Sequence, residues 1–247
     1  MFIALKRICL LLSISLLNAC ALFSDIQQQT TLNLELGEQN LQMARYQDAL
    51  PYLNKAVSLE PKLGRIHAAL GEYYAAVNEP EKAANHYKQA IHLDRNNLIV
   101  LISHASYLCS TGESELGINT LLDIIDNARN GQPWHAQTRL AQCFNQISDT
   151  EQAAHYLQKA LEAKTDYLPA LLAMQKLSYY QHQFPSAREY WLRYSQIGKT
   201  NAEGLWLAFQ TERALGDAEL SAVYRQQLLN EFPDSVQAQR IKNTISN

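Results

Sequence analysis

The residues of this chain with the most direct chemistry are its four cysteines, because a thiol can be oxidised, acylated or bound to a metal. Cys9 and Cys20 lie within the first twenty residues, and Cys109 and Cys143 lie in the body of the chain. No His/Cys cluster surrounds Cys109 or Cys143 at the spacing of metal ligands, so we expect no zinc site. Two interpretations remain for this pair: a disulfide, or two small thiols buried in a core.

The other candidate catalytic residues form no motif. Seven histidines are scattered along the chain: His67, His86, His92, His104, His135, His155 and His182. None forms HExxH or accompanies a nucleophile, and the chain contains no GxGxxG, GxxxxGK[ST] or GxSxG. Acidic residues such as Glu113 and Asp123 recur where a helix would face solvent. We therefore expect no enzymatic activity, no metal, no cofactor and no small-molecule substrate.

The elements that position these residues repeat with a period of 34 residues, broken by one two-residue slip after the third copy. Gly37, Ala49, Leu53 and Ala56 in the first copy correspond to Gly71, Ala83, Tyr87 and Ala90 in the second. The six copies begin near Thr30, Gly64, Leu98, Trp134, Leu168 and Ala202. A fixed period of this length is typical of a solenoid, in which each repeat buries surface only against its neighbours.

The repeated residues predict a pair of helices in each copy. Ala49 and Ala56 share one face of the second helix and allow the first helix to approach closely. Residues that favour a left-handed turn share one column between the helices: Asn78, Gly112 and Gly216. Pro80 and Pro185 follow at the first turn of the second helix, where no N–H is needed.

This spacing resembles the tetratricopeptide repeat. The resemblance implies an all-α solenoid, a right-handed superhelix of six helix-turn-helix repeats over residues 30–247 with a short C-terminal helix. The alternative is an alanine-rich helical bundle with accidental spacing. Cys109 and Cys143 fall in the first helices of repeats three and four, which should be neighbours. We therefore predict a disulfide between them, as in an oxidising compartment.

Residues 1–19 are typical of a signal peptide. Lys6 and Arg7 precede an apolar run, Ile8–Leu17, that is too short to span a bilayer. The run ends in Leu-Asn-Ala-Cys at Cys20, which resembles a bacterial lipobox and implies lipidation of that cysteine. The alternative is an ordinary signal peptide followed by an incidental cysteine.

The chain after the signal should be anchored by lipid to the outer membrane. Ala21 stands where lipoproteins retained in the inner membrane typically carry Asp, and residues 20–29 are predicted to form a lipidated tether. The formal net charge of the whole chain is −3, and its Lys and Arg residues are scattered. We therefore expect no binding to nucleic acid.

The first helices of a repeat array form a wall that can bind a protein segment. In the first two repeats we expect this partner-binding groove to consist of Leu34, Glu38, Leu41, Ala68, Glu72 and Ala75. The corresponding residues of the fourth repeat are Thr138, Gln142 and Asn145, and those of the fifth are Leu172, Lys176 and Tyr179. Small apolar side chains with isolated carboxylates suit an extended or helical peptide.

Four segments resemble the type IV pilus biogenesis and stability lipoproteins, the pilus pilotins. They are His104–Cys109 with the Gly112 turn, Ala187–Tyr190, Leu205–Leu207 and Phe232–Ser235. The sequence departs from that family at His104, Ser106 and Gly117, where Asn, Gly and Ala are usual. The resemblance implies a lipoprotein on the periplasmic face of the outer membrane that binds the type IV pilus secretin. It would promote secretin localisation and multimerisation, and thereby twitching motility.

Two other functions are compatible with the sequence. One is a lipid-anchored periplasmic scaffold for peptidoglycan synthesis or envelope assembly, because other lipid-anchored repeat proteins have that role. The other is an adaptor for an unrelated protein partner.

Overall fold

The computed structural model describes residues 24–43, 45–126, 131–198 and 200–245 of the 247-residue chain. The predicted signal peptide and Cys20 lie outside these residues. Within these four ranges the chain forms thirteen α-helices and no strand. The helices are α1 (24–42), α2 (Tyr46–Leu59), α3 (Gly64–Ala76), α4 (Pro80–Leu93), α5 (Leu98–Ser110), α6 (Ser114–Asp126), α7 (Pro133–Gln146), α8 (Thr150–Ala163), α9 (Leu168–Tyr180), α10 (Phe184–Ile197), α11 (Ala202–Leu215), α12 (Ala218–Glu231) and α13 (Val236–Ile245).

Consecutive helices form six helix-turn-helix pairs, followed by the short helix α13. We call the first helix of each pair the A helix (α1, α3, α5, α7, α9 and α11) and the second the B helix. The A helices from α3 onward begin within one residue of the starts expected from the period. The predicted all-α fold of six such repeats is therefore confirmed.

The chain divides into two compact units, with the boundary between His104 and Ala105 inside α5. Each described unit has its own core. In unit 1 the buried side chains include Leu34, Leu53, Ile66 and Leu70. In unit 2 one larger cluster holds buried residues of several repeats, among them Leu157, Leu171, Trp191, Leu205 and Leu228.

The small residues predicted to bring the helices together are buried at the A–B contacts. A Cβ atom on Gly37 would lie 2.4 Å from Cδ2 of Leu53, and one on Gly71 would lie 2.9 Å from the ring of Tyr87. Ala49 and Ala83 on the facing B helices are fully buried. Since a larger side chain would have to displace its neighbour, this column fixes the distance between the two helices.

Each described A–B turn contains a left-handed residue in the same column. These residues are Asn78 (φ 60°), Gly112 (95°), Ser148 (64°), His182 (59°) and Gly216 (79°). In every turn the following N–H donates to the carbonyl five residues earlier, as from Glu79 to Tyr74 at 2.8 Å. This is the Schellman arrangement, which satisfies the last carbonyls of the A helix. Ser148 and His182 were not predicted here: serine has no preference for a positive φ, and histidine adopts one more often than most residues but far less readily than glycine.

The predicted tether is shorter than expected, because helix α1 already includes residues 24–29. Gln29 Nε2 donates to Asp25 Oδ2 at 3.0 Å, and the hydroxyl of Thr30 donates to the Ile26 carbonyl at 2.8 Å. Thr30 and Leu34 are both buried and lie four residues apart on one helix face. Packing of that face extends the helix into a segment whose polar composition had suggested an irregular linker.

Cys109 on α5 and Cys143 on α7 form a disulfide within unit 2, with their Cα atoms 5.4 Å apart. Both residues are buried, at 4% and 1% exposure. A Cβ atom on Gly117 would lie 2.6 Å from the Cys109 Sγ and 2.6 Å from the Ala105 carbonyl oxygen. Glycine therefore replaces the alanine expected at this position because the cysteine sulfur occupies the space.

The disulfide predicts a stability that depends on redox conditions. Cross-linking residues 34 apart stabilises a protein by about 3–4 kcal/mol in the chain-entropy model. Reductant should lower the free energy of unfolding in urea by roughly that amount. The Cys109→Ser/Cys143→Ser variant should be equally destabilised and should not respond to reductant. Finding two alkylatable thiols in the denatured, unreduced mature chain would contradict the prediction.

Candidate functional site

Leu34 and Ala68 do not line the predicted groove, because both are core residues with 2% and 1% exposure. Leu34 packs in one cluster with Ile66 and Leu70 of α3. Ala68 packs with Ala90 and with Val100 at the start of α5. The next A helix therefore covers this column, so the assignment of these two residues to a solvent-facing groove was wrong.

The other four predicted groove residues remain at least partly accessible on unit 1. Glu38, Leu41 and Glu72 are half-buried and Ala75 is exposed. We call these four residues the N-terminal wall. The wall lies on α1 and α3, on the same helix face as the buried Leu34 and Ala68 and beginning one turn after them. Leu41 and Ala75 offer a small apolar contact surface, and the carboxylates of Glu38 and Glu72 lie beside it.

The N-terminal wall is electrostatically negative. Glu38 accepts hydrogen bonds from the Arg65 guanidinium on α3 with both carboxylate oxygens, one of them at 2.9 Å from Nε. Burial raises the pKa of Glu38, Arg65 opposes that rise, and neighbouring Glu72 and Glu35 add to it. Glu35 and Glu72 thus lie near enough to Glu38 to oppose its ionisation, and a cluster of carboxylates favours a partner with a basic group.

Unit 1 also contains a histidine pair that sequence reasoning did not identify. His67 Nε2 lies 2.9 Å from the Pro61 carbonyl oxygen, so this nitrogen carries the proton and donates. The two Nδ1 atoms of His67 and His86 are 3.2 Å apart. In the neutral pair His67 Nδ1 therefore accepts a hydrogen bond from His86 Nδ1–H. The 34-residue period did not predict this contact, because the two histidines lie in one repeat at positions that are not equivalent.

The surroundings of His86 disfavour its protonated form. Its ring stacks on Tyr74 at 5.2 Å with an interplanar angle of 8°, and Lys82 Nζ lies 5.3 Å from the centre of the same tyrosine ring. Burial lowers the pKa of His86, and proximity to His67 lowers it further. The pair therefore stabilises unit 1 when both rings are neutral. Among the described residues no group of three or more His, Cys, Asp or Glu side chains is placed to hold a metal ion.

Unit 2 has A-helix residues in the same three columns as the six residues of the predicted groove in unit 1. In the fourth repeat Thr138 is buried, whereas Gln142 and Asn145 are exposed. On α9 the corresponding residues are Leu172, Lys176 and Tyr179, and on α11 they are Trp206, Gln210 and Arg213. We call these last six residues the C-terminal wall. Lys176 Nζ lies 2.6 Å from the Glu203 carboxylate, so the two helices are directly linked beside this wall.

An ion pair between the half-buried Arg188 and the buried Glu212 joins α10 to α11. Glu212 is 1% exposed and accepts hydrogen bonds from Arg188 with both oxygens, one of them at 3.0 Å. Arg188 also lies 3.4 Å from the Asp217 carboxylate. The hydrogen bond to Glu212 raises the pKa of Arg188. Because Glu212 is enclosed by protein and fully engaged, we assign this pair to the fold rather than to a binding site.

The described residues contain no helix that combines the length and the apolar character needed to cross a bilayer. The apolar run of the predicted signal peptide precedes the described residues.

The arrangement of the histidine pair predicts a pH-dependent stability. As pH falls through the ordinary histidine pKa of about 6.5, the unfolded chain gains a proton at position 86 before the folded chain does. Stability should therefore decrease from pH 7.5 to pH 5.5. His86→Phe keeps an aromatic ring against Tyr74 but cannot titrate, so its unfolding midpoint in urea should depend less on pH.

The matched control for this prediction is His92→Gln, which removes an exposed histidine from the same helix. It should keep the pH dependence of the original protein. Equal pH dependence in all three proteins would show that His86 has no such role.

Comparisons with known proteins agree with the repeat architecture. A family model of the tetratricopeptide repeat matches residues 64–97 and 135–167. The type IV pilus assembly protein PilF of Pseudomonas aeruginosa is 26% identical over 209 residues, which cover 85% of this chain and 83% of PilF. The described chain carries tetratricopeptide repeats, and its similarity to PilF extends over most of both proteins.

Solved structures show the same fold. The structure of Pseudomonas aeruginosa PilF matches with a TM-score of 0.57 and 24% identity, covering 89% of this chain and 99% of that one. The structure of PilW, described as a widely conserved type IV pilus biogenesis factor, matches with a TM-score of 0.60 and 20% identity. That match covers 86% of this chain and 97% of PilW.

Proposed function

We propose that this tetratricopeptide-repeat protein acts in type IV pilus biogenesis as an outer-membrane pilotin. In this role it binds the pilus secretin, brings it to the outer membrane and promotes its multimerisation. The observation that carries the proposal is the extent of the similarity to PilF, which covers 85% of this chain and 83% of the relative. A match through one widespread repeat would be much shorter, so the similarity concerns the order of repeats in the whole array.

Lipid attached to Cys20 is the proposed anchor. Helix α1 includes residue 24, four residues after that cysteine, so the linking backbone spans at most ~13–14 Å. The first repeat would therefore lie at the membrane surface. Each buried methylene of an acyl chain contributes ~0.8 kcal/mol, and more than one chain makes the attachment durable.

The N-terminal wall is the proposed secretin-binding surface. It belongs to the repeat nearest the anchor and to the next one, where a secretin subunit would meet the inner face of the outer membrane. A secretin segment would place a small apolar side chain against Leu41 and Ala75 and a basic group near Glu38 and Glu72. Segments of this kind bind helical grooves through a few buried anchors, while charges at the rim set orientation and association rate.

The anchor is tested by Cys20→Ser. The variant should appear as unprocessed or released protein, because the thiol that would carry lipid is absent. Its repeats should fold as before, since the buried cores of both units are built from side chains of the described helices. Fractionation of cells into membrane and soluble protein is the measurement, with circular dichroism to check the helices. Retention of the variant in membranes at the original level would refute the lipid anchor.

The N-terminal wall is tested by Ala75→Lys. This variant places a positive charge on the wall, where it would repel the basic group of the proposed secretin segment. Ala75 is exposed, so the substitution should change the free energy of unfolding by less than about 0.5 kcal/mol. Heat-resistant secretin multimers, detected by immunoblot of outer membranes, should be largely lost. Charge at Leu34 or Ala68 is unsuitable for this test, because either change would disrupt the core.

The matched control is Ala84→Lys, which makes the same substitution at an exposed position of the B helix α4. It should leave the multimers at their original level. Normal multimers with Ala75→Lys would exclude the N-terminal wall. Loss with Ala84→Lys alone would assign secretin binding to the B helices.

A further inference from the structure

The two walls contain equivalent ion pairs of opposite polarity. Glu38 pairs with Arg65, and Lys176 pairs with Glu203; both pairs join adjacent A helices across 27 residues. In unit 1 the acid is on the earlier helix, whereas in unit 2 the base is on the earlier helix. Either order of acid and base links the two helices, so packing between repeats does not determine whether the wall residue is Glu38 or Lys176. The charge of the wall residue can therefore differ between the walls and contribute to the choice of partner.

Arg213 adds a second positive charge to the C-terminal wall. Its side chain is exposed, and its guanidinium lies 5.6 Å from the centre of the Phe209 ring. Its described hydrogen-bond partner is the neutral Gln210 amide at 3.4 Å. No carboxylate of the described residues pairs with it at ion-pair distance. The aromatic ring thus holds the charge in place without neutralising it.

The C-terminal wall also exposes large apolar groups. Leu172 and Trp206 occupy the column in which Leu34 and Ala68 are buried, but both are only half-buried. The Trp206 ring lies 5.7 Å from the ring of Phe209, which itself supports Arg213. A partly exposed indole beside a held guanidinium is a combination often found at the centre of protein interfaces.

We propose that the C-terminal wall is a second binding site, for an acidic segment of a partner protein that carries an apolar or aromatic side chain. Its carboxylates would pair with Lys176 and Arg213, and its apolar side chain would contact Leu172 and Trp206. The charge of the wall decides between peptide and nucleic acid. Affinity for nucleic acid depends on Lys and Arg residues that neutralise several phosphates, whereas this wall has two cations with Glu203 beside one of them.

This site is independent of the proposed secretin site, which is negative and lies in unit 1. The probe for it is a short fluorescein-labelled peptide with a Leu-Phe pair flanked by glutamates. A second peptide, with lysines in place of the glutamates, is the matched probe. Fluorescence anisotropy with the full mature chain should show binding of the acidic probe only. Its affinity should fall as salt is added, because exposed charges are screened.

The decisive variant is Arg213→Glu, which should weaken the acidic probe at least about tenfold, because it replaces attraction by repulsion. Arg225→Glu makes the same charge change at an exposed position of the B helix α12 and should leave the affinity unchanged. The swap Lys176→Glu/Glu203→Lys keeps the ion pair in the polarity of unit 1 and should also weaken the probe. Circular dichroism checks that each variant folds.

Ala75→Lys separates the two sites, since it should abolish secretin multimers without changing the affinity of the acidic probe. Four outcomes would overturn the proposal. The first is equal binding of both peptides, and the second is equal affinity of the Arg213→Glu and Arg225→Glu variants for the acidic probe. The third is displacement of the probe by an equimolar uridine oligonucleotide, which would indicate a nucleic-acid site. The fourth is self-association of the chain that Arg213→Glu abolishes while the probe does not bind, which would indicate a second copy as the occupant.

Discussion

The close contact of A and B helices at columns of small residues is the constraint on which the rest of the structure depends. At Gly37, Gly71 and Gly204 a Cβ atom would lie within 3.0 Å of a core side chain on the preceding or following B helix. The backbones can therefore approach until Leu53, Tyr87 and Trp191 fill the space between them. Once this distance is set, the exposed face of each A helix is fixed, and so are the positions of both walls.

Much of this core was predictable from the period, because a column that must be small or apolar in one repeat has the same neighbours in the next. The column containing Ala49 is buried in all six described repeats, and the column containing Leu53 is buried in the first five. The period also located the left-handed turn at Asn78. Residue type alone did not identify Ser148 and His182, which adopt the same left-handed conformation although neither is a glycine or an asparagine.

The candidate site was less predictable, because burial on the A helix depends on the following repeat. Periodicity within one helix places Leu34 and Glu38 on one face, but it does not show that Ile66 and Leu70 cover the first and leave the second accessible. Pairings between repeats were equally hidden: Glu38 and Arg65 are not adjacent in any single-helix pattern. The His67–His86 pair required the actual positions of both rings. In each case the missing information was which side chains meet between neighbouring helices. A periodic pattern along the sequence does not give those contacts; the folded structure does.

The proposed recognition surface is the solvent-accessible face of the A helices rather than the B helices, and hydrogen exchange tests this most directly. Amide exchange of the full lipidated chain would be followed by mass spectrometry with and without solubilised pilus secretin. Binding at the N-terminal wall predicts slower exchange in the C-terminal halves of α1 and α3, with little change in α2 and α4. Slower exchange confined to the B helices, or unchanged exchange in α1 and α3 while secretin is bound, would contradict it.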